Sequence, residues 1–254
     1  MSLLFSNKHI IVTGGAKGIG AACVDVMLQE GGNVSVLDKD GSAQKKYGAN
    51  VFFYKTDVSK GEEVKNSISQ AILKFGDIDV LINNAGIVKY ATVTEATEEE
   101  WDLIINVNLK SSFLCAKYSI PSMLRKGKGV VVNVSSVQAF ISQQKVAAYT
   151  TSKTALLGLT RSIAVDYSPH IRCVAVCPGT VDTPMLREAI KESPNPEEVY
   201  QECIDMHLVK KLATAHEVAE FISYLASDKA SFITGQAYRI DGGLGISLSG
   251  SKRD

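Results

Sequence analysis

No run of the 254-residue sequence approaches the roughly 18 consecutive apolar residues needed to cross a bilayer. Residues 1–9 lack the basic start and long apolar core of a signal peptide, so a cytoplasmic protein that meets no membrane is expected. Charge of one sign is missing too. The 27 Lys+Arg face 27 Asp+Glu, which leaves no overall field to hold nucleic acid. Cysteine is sparse and scattered: Cys23, Cys115, Cys173, Cys177 and Cys203 are odd in number and lack metal-ligand spacing, and they read as small buried hydrophobes. His9, His170, His207 and His216 show no ligand spacing either. No metal site is expected, and His207 alone stands as an outside candidate for substrate contact. Repeats, low-complexity tracts and linkers are absent, which favours a single domain over residues 1–254.

What is present is an alternation of short β-branched runs with longer amphipathic segments. Strands are expected at residues 10–12, 33–37, 51–54, 78–82, 129–134, 171–176 and 236–240. Helices are expected at 18–30, 62–75, 101–125, 149–167 and 214–226. The runs are nearly continuously apolar, as strands are when both sheet faces are covered. This rhythm predicts an α/β, doubly wound parallel sheet of about seven strands with helices on both faces. Residues 183–212 break it with Pro184, Pro194 and Pro196, charge clusters and two short helical patterns, and read as a lid beyond a strand end.

Two stretches carry chemistry. The first runs from Thr13 to Gly20, with Gly14, Gly18 and Gly20 between the first strand and the first helix. Glycines at these places give a tight turn, close backbone approach to a pyrophosphate and close helix–sheet packing, and the helix N-terminus adds unpaired N–H donors. The next strand ends at Asp38, whose carboxylate can accept from both hydroxyls of an adenosine ribose and would repel a 2′-phosphate. NAD is therefore the expected cofactor, although Lys17 and Lys39 could reach a 2′-phosphate. The second stretch is 136–153, where Tyr149 and Lys153 lie one helical turn apart and Ser136 ends a strand. A cation there favours the ionised phenol, which makes a proton-transfer site.

These motifs together resemble the short-chain dehydrogenases/reductases over nearly the whole chain, and the family's Rossmann fold agrees with the strand pattern. The resemblance rests on Thr13-Gly-x-x-x-Gly-x-Gly20, Asp57-Val58, Asn83-Asn84-Ala85-Gly86, Asn108, Ser136, Tyr149-x-x-x-Lys153 and Pro178-Gly179 with Thr183. It implies that Tyr149 is the acid/base, Lys153 its activator and a ribose ligand, Ser136 the holder of the substrate oxygen and Asn108 the anchor of a water relay. It further implies cofactor contacts from the Gly14–Gly20 loop including Lys17 and Ile19, from Asp57, Val58, Asn84, Ala85 and Gly86, and from Pro178, Gly179, Val181 and Thr183. A homotetramer is the family's common assembly.

Substrate choice falls to Gln138 and Phe140 after Ser136, and to Gln143, Gln144 and Lys145 before the catalytic helix. Amides and a lysine suit a polyhydroxylated ligand, and Ser135-Ser-Val-Gln-Ala139 resembles the family's sugar-oxidising members. The expectation is an NAD-dependent oxidoreductase that transfers a hydride between the nicotinamide and a secondary alcohol such as a sugar or polyol. The alternatives are an NADP-linked carbonyl reductase, a steroid or hydroxyacyl dehydrogenase and, further off, an inactive NAD-binding protein.

Overall fold

A computed structural model describes residues 3–41 and 48–246 of the chain. Seven strands form the main sheet: β1 (His9–Thr13), β2 (Asn33–Asp38), β3 (Val51–Lys55), β4 (Val80–Asn83), β5 (Gly129–Val134), β6 (Ile171–Pro178) and, last in the chain, β9 (Ala237–Ile240). They lie in the order β3-β2-β1-β4-β5-β6-β9, and every neighbouring pair is parallel. β1 and β5 are buried along their whole lengths, which is why neither alternates with polar residues. This is a Rossmann α/β fold.

Alternate strand residues serve opposite faces. Ile10 and Val12 of β1 join a core with α1 (Gly18–Gln29) and α8 (Ala215–Ala226), through Val24, Met27, Val218 and Ile222. Ile11, between them, faces the other way. It packs with α2 (Gly61–Phe75), α4 (Ser111–Lys126) and α5 (Ala147–Tyr167), through Ile68, Cys115, Met123 and Ile163. Strand order reverses between β1 and β4, so a crevice opens at the strands' C-terminal ends there.

The structure departs from the sequence expectation in two places. The single helix expected at 101–125 is three consecutive pieces: α3 (Glu98–Ile105), one π-helical turn (Asn106–Lys110) and α4. The Ser111 N–H donates to the Asn106 carbonyl five residues back, so the turn holds one residue more than an α-turn. Residues 183–212 carry the two expected helices, α6 (Pro184–Lys191) and α7 (Pro196–Asp205). They are bracketed by a two-stranded parallel ladder of β7 (Val181–Asp182) and β8 (Ala213–Thr214), each strand too short to leave a periodic signal.

Four of the five cysteines are buried, and burial pushes the Cys23, Cys115 and Cys173 thiols up to about 12, as befits small hydrophobes. Among the described residues no group of three or more His, Cys, Asp or Glu side chains could hold a metal ion. Nor is any of their helices long and apolar enough to cross a membrane. Residues 247–254 lie outside the described residues.

Candidate active site

The glycine loop is built to keep its backbone bare. Gly14 and Gly18 take left-handed φ values of 65° and 57°. A Cβ on Gly14 would stand 2.9 Å from the Ala85 Cα, and one on Gly20 would fall on the Gly14 carbonyl oxygen. α3 and α8 close their N-termini with the capping boxes of Thr97 and Thr214, whereas α1 starts at Lys17 with no side-chain cap. Its first N–H groups and the positive end of its dipole therefore open into the crevice. A diphosphate fits this cradle.

Neighbouring strand ends lock the loop. The Asn84 side-chain amide donates to the Thr13 and Gly14 carbonyls at 3.0 and 3.1 Å, and the Thr13 hydroxyl accepts from the Asn84 and Ala85 N–H groups, both at 3.0 Å. Asp38, at the end of β2, accepts from the Ala16 N–H through one oxygen and the Asp40 N–H through the other, both at 2.9 Å. Lys39 pairs with Asp57 at 3.1 Å, and Asp57 also accepts from the Ser59 hydroxyl at 2.6 Å. Val58 is buried in the core beneath the strand ends, with Leu37, Tyr54 and Val64, while Lys17 is exposed. Sequence reading passed over Thr13 as a site residue, although its place immediately before Gly14 was a usable signal.

The second group gathers deeper in the crevice. Asn108 sits inside the π turn, completely buried: its carbonyl oxygen accepts from the Ile87 N–H at 2.8 Å and its amide donates to the Ile87 carbonyl at 2.9 Å and to Ser152 at 3.1 Å. A Cβ on Gly86 would lie 3.4 Å from the Lys153 Nζ and 3.5 Å from the Asn108 Oδ1, so Gly86, Lys153 and Asn108 converge. Ser136 ends the loop after β5; its hydroxyl accepts from the Gln138 N–H at 3.1 Å and reaches the Tyr149 phenol. Lys153 donates to the Val134 carbonyl at 2.9 Å, and its Nζ stands 5.6 Å from the Tyr149 ring centre. The four side chains singled out from the sequence thus meet in one place.

Their electrostatics correct one expectation. Lys153 was expected to lower the tyrosine's pKa. Instead, enclosure of the hydroxyl pushes the Tyr149 phenol up to about 12, against a smaller lowering from Ser136. Burial likewise presses the Lys153 ammonium down to about 8. The lysine's own hydrogen bond goes to the Val134 carbonyl, and Tyr90 adds to the raising of the Tyr149 phenol.

The turn after β6 completes the crevice. The Gly179 N–H donates to the Ile240 carbonyl at 3.0 Å, and Thr183 faces the glycine loop, a Cβ on Gly18 lying 3.4 Å from the Thr183 Cγ2. His207 does not face the crevice as a substrate ligand: it is 2% exposed, and both ring nitrogens are engaged with backbone groups. On the outer wall, Gln138 accepts from Thr150 at 3.3 Å and donates to Gln143 at 3.4 Å. Phe140 is half exposed beneath the Arg239 guanidinium, 5.5 Å from its ring centre. Lys145 is exposed with a left-handed φ of 62°, and its carbonyl accepts from the Ala91 N–H at 2.7 Å. Tyr90, which sequence reading missed, is close enough to Tyr149, Cys203 and Glu192 to feel each of them.

A family model described as enoyl-(acyl carrier protein) reductase matches residues 14–245. The dehydrogenase/reductase SDR family member 6 of Aquarana catesbeiana is 38% identical over 247 residues, 94% of this chain and 98% of that protein. The chain belongs to the short-chain dehydrogenase/reductase family. The solved structure of Thermoplasma acidophilum aldohexose dehydrogenase, in ligand-free form, is 40% identical to this dehydrogenase with a TM-score of 0.93, covering 100% of this chain and 99% of that one. That of levodione reductase is 30% identical, with a TM-score of 0.92, over 96% of this chain and 100% of that one. This short-chain dehydrogenase/reductase is an oxidoreductase that uses NAD(P) and acts on CH–OH donors.

Proposed function

We propose that this dehydrogenase exchanges a hydride between NAD and a secondary alcohol of the sugar or polyol class, with Tyr149 as acid/base. The observation that carries the reading is the convergence of Ser136, Tyr149, Lys153 and Asn108 beside a bare glycine cradle. The cradle of Gly14, Gly18, Ile19 and Gly20 holds the diphosphate. Asp57 and Val58 flank the adenine, Asn84, Ala85 and Gly86 line the floor, and Pro178, Gly179, Val181 and Thr183 meet the carboxamide. Two observations favour NAD. Asp38 brings a carboxylate to the ribose edge, and the ion pair with Asp57 engages Lys39, one of the two lysines that could reach a 2′-phosphate.

Bound oxidised nicotinamide supplies a hydride acceptor and a positive charge. The chain's residues do the rest. Ser136 donates a hydrogen bond to the substrate oxygen, and Tyr149 takes or returns the hydroxyl proton. Lys153 uses one of its three N–H donors on Val134 and keeps two for the cofactor ribose. Asn108, held by Ile87 and Ser152, anchors a relay that restores the proton. For an ordinary phenol to act as a base near pH 7 takes about 4 kcal/mol of differential stabilisation; from about 12 it takes about 7 kcal/mol. The site must therefore acquire positive charge before it oxidises an alcohol.

The sugar reading rests on the amide and hydroxyl rim of Gln138, Gln143 and Thr150 and on the similarity to aldohexose dehydrogenase. Residues 183–212 close over this rim as a lid, and exposed Phe113 and Phe232 offer apolar faces for assembly as a homotetramer. The test is a panel of aldoses, polyols and hydroxysteroids with NAD and NADP, followed at the reduced-nicotinamide absorbance. We expect aldose oxidation with NAD. Tyr149→Phe should cut kcat by at least about 10²-fold with an unchanged NAD Kd; appreciable turnover in that variant defeats the mechanism.

A further inference from the structure

We propose that His207 is a positioning residue that holds the Gly179–Thr180 turn in register for the nicotinamide, tying that turn to the end of α7. The inference rests on the proposed role of this turn as the nicotinamide contact. His207 lies two residues beyond α7, 2% exposed. Its Nδ1 lies 2.7 Å from the Cys203 carbonyl, which can only accept, so Nδ1 carries the proton. Nε2 is then an acceptor in the neutral ring, and it receives the Thr180 N–H at 3.1 Å. One ring thus spans two backbones, with its tautomer set by the helix end.

Packing leaves the ring nowhere else to go. A Cβ on Gly179 would meet Nε2 at 2.8 Å, and one on Gly242, where φ is 55°, would meet the His207 Cδ2 at 3.3 Å. The imidazole is wedged between the turn after β6 and the turn after β9. The Val209 N–H donates to the Gly242 carbonyl at 3.3 Å and fixes the segment on its far side. The backbone carbonyl of Thr180 is also engaged, accepting from the Ala213 N–H at 3.2 Å beside the β7–β8 ladder. Without the imidazole, the Thr180 N–H would be an unpaired donor in a partly buried turn. The turn would then rotate to find water, carrying Val181 away from its place. The effect would be confined to the nicotinamide end of the site, since the glycine cradle and Asp38 share no hydrogen bond with His207.

The test compares the Kd of NAD with that of ADP-ribose, which lacks the nicotinamide, for wild type, His207→Phe and His207→Gln. Phe keeps a ring and loses the acceptor; Gln returns an oxygen near the Nε2 position. We expect His207→Phe to weaken NAD about tenfold, through the loss of the bond that holds the Thr180 N–H. ADP-ribose should change by less than about twofold, and His207→Gln should recover most of the NAD affinity. The KM for NAD should rise with the alcohol KM unchanged. If the Phe variant does not fold, His207→Asn, which is too short to present the acceptor, makes the same comparison with Gln. Equal weakening of both ligands, no change in either, or a Gln variant as poor as Phe would each overturn the proposal. Wild type binding NAD no more tightly than ADP-ribose would overturn it at the underlying assignment of the turn.

Discussion

Lys153 is a charge kept where water cannot reach it. With its ammonium pressed from 10.5 to about 8, burying the ionised form costs about 3 kcal/mol. The sign is fixed by the direction of the shift. Below pH 8 both folded and unfolded chains carry the proton and the full penalty applies; between 8 and 10.5 the folded chain sheds it and the penalty fades. We therefore expect cofactor-free Lys153→Met to be inactive yet to melt at a higher temperature than wild type at pH 7. Calorimetry at pH 7 and pH 10 should show that advantage narrowing. A variant less stable than wild type at pH 7 would contradict this. Tyr149 and Lys153 are singled out in the sequence not by their four-residue spacing alone but by its company, the glycine loop at Gly14, Asp38 and Asn108. What spacing could not convey was enclosure, which raises the Tyr149 phenol and lowers the Lys153 ammonium. The same holds for His207, whose partners Thr180 and Cys203 are joined only by the folded turn.

At the scale of elements, the crevice is made by β2, α1 and β4 acting together, and Asp38 serves two of them. Its carboxylate receives the Ala16 N–H and so steadies the glycine loop, and in the proposed function the same carboxylate stands against a 2′-phosphate. Asp38→Ala should lower kcat/KM for NAD by about tenfold through the loosened loop, and should narrow or reverse the NAD:NADP ratio. Parallel kinetics with the two cofactors give the answer, and an unchanged ratio would remove Asp38 from cofactor choice. Asp38, at a strand end, and Ser136, just past one, could be placed from sequence because apolar runs stop there. The π turn around Asn108 could not. Its residues, Asn-Val-Asn-Leu-Lys, have ordinary helical character, and the extra residue is visible only in which carbonyl each N–H meets.

Across the whole molecule, the end of the sheet opposite the crevice carries its own polar cluster. His9 is 1% exposed; its Nδ1 meets the Gly76 carbonyl at 2.8 Å and its Nε2 the Ser35 hydroxyl at 2.9 Å. Around it stand Asp79, which accepts the His9 N–H and pairs with Lys126, and Asp77, which pairs with Arg125. Burial lowers the imidazole's pKa below 6.5, with Asp79 and Asp77 opposing and Lys126 assisting. The neutral ring's contribution is thus complete above pH 6.5 and lost as pH falls through the lower folded value. Urea midpoints measured from pH 7 to pH 5 should decline in wild type and decline less in His9→Gln; parallel slopes would exclude His9 as the cause. Asp77 titrates lower, since Ser122 and Arg125 hold it below the usual carboxylate range.

Chain length, too, is under constraint at the π turn. Removing one residue between Asn106 and Lys110 would let α3 and α4 fuse into an unbroken α-helix with both flanks keeping their faces, a more regular object than the present one. That shorter helix would have no way to aim an amide at both backbone groups of Ile87. The segment is thus expected to bear changes of side chain at its exposed positions but not a change in its residue count.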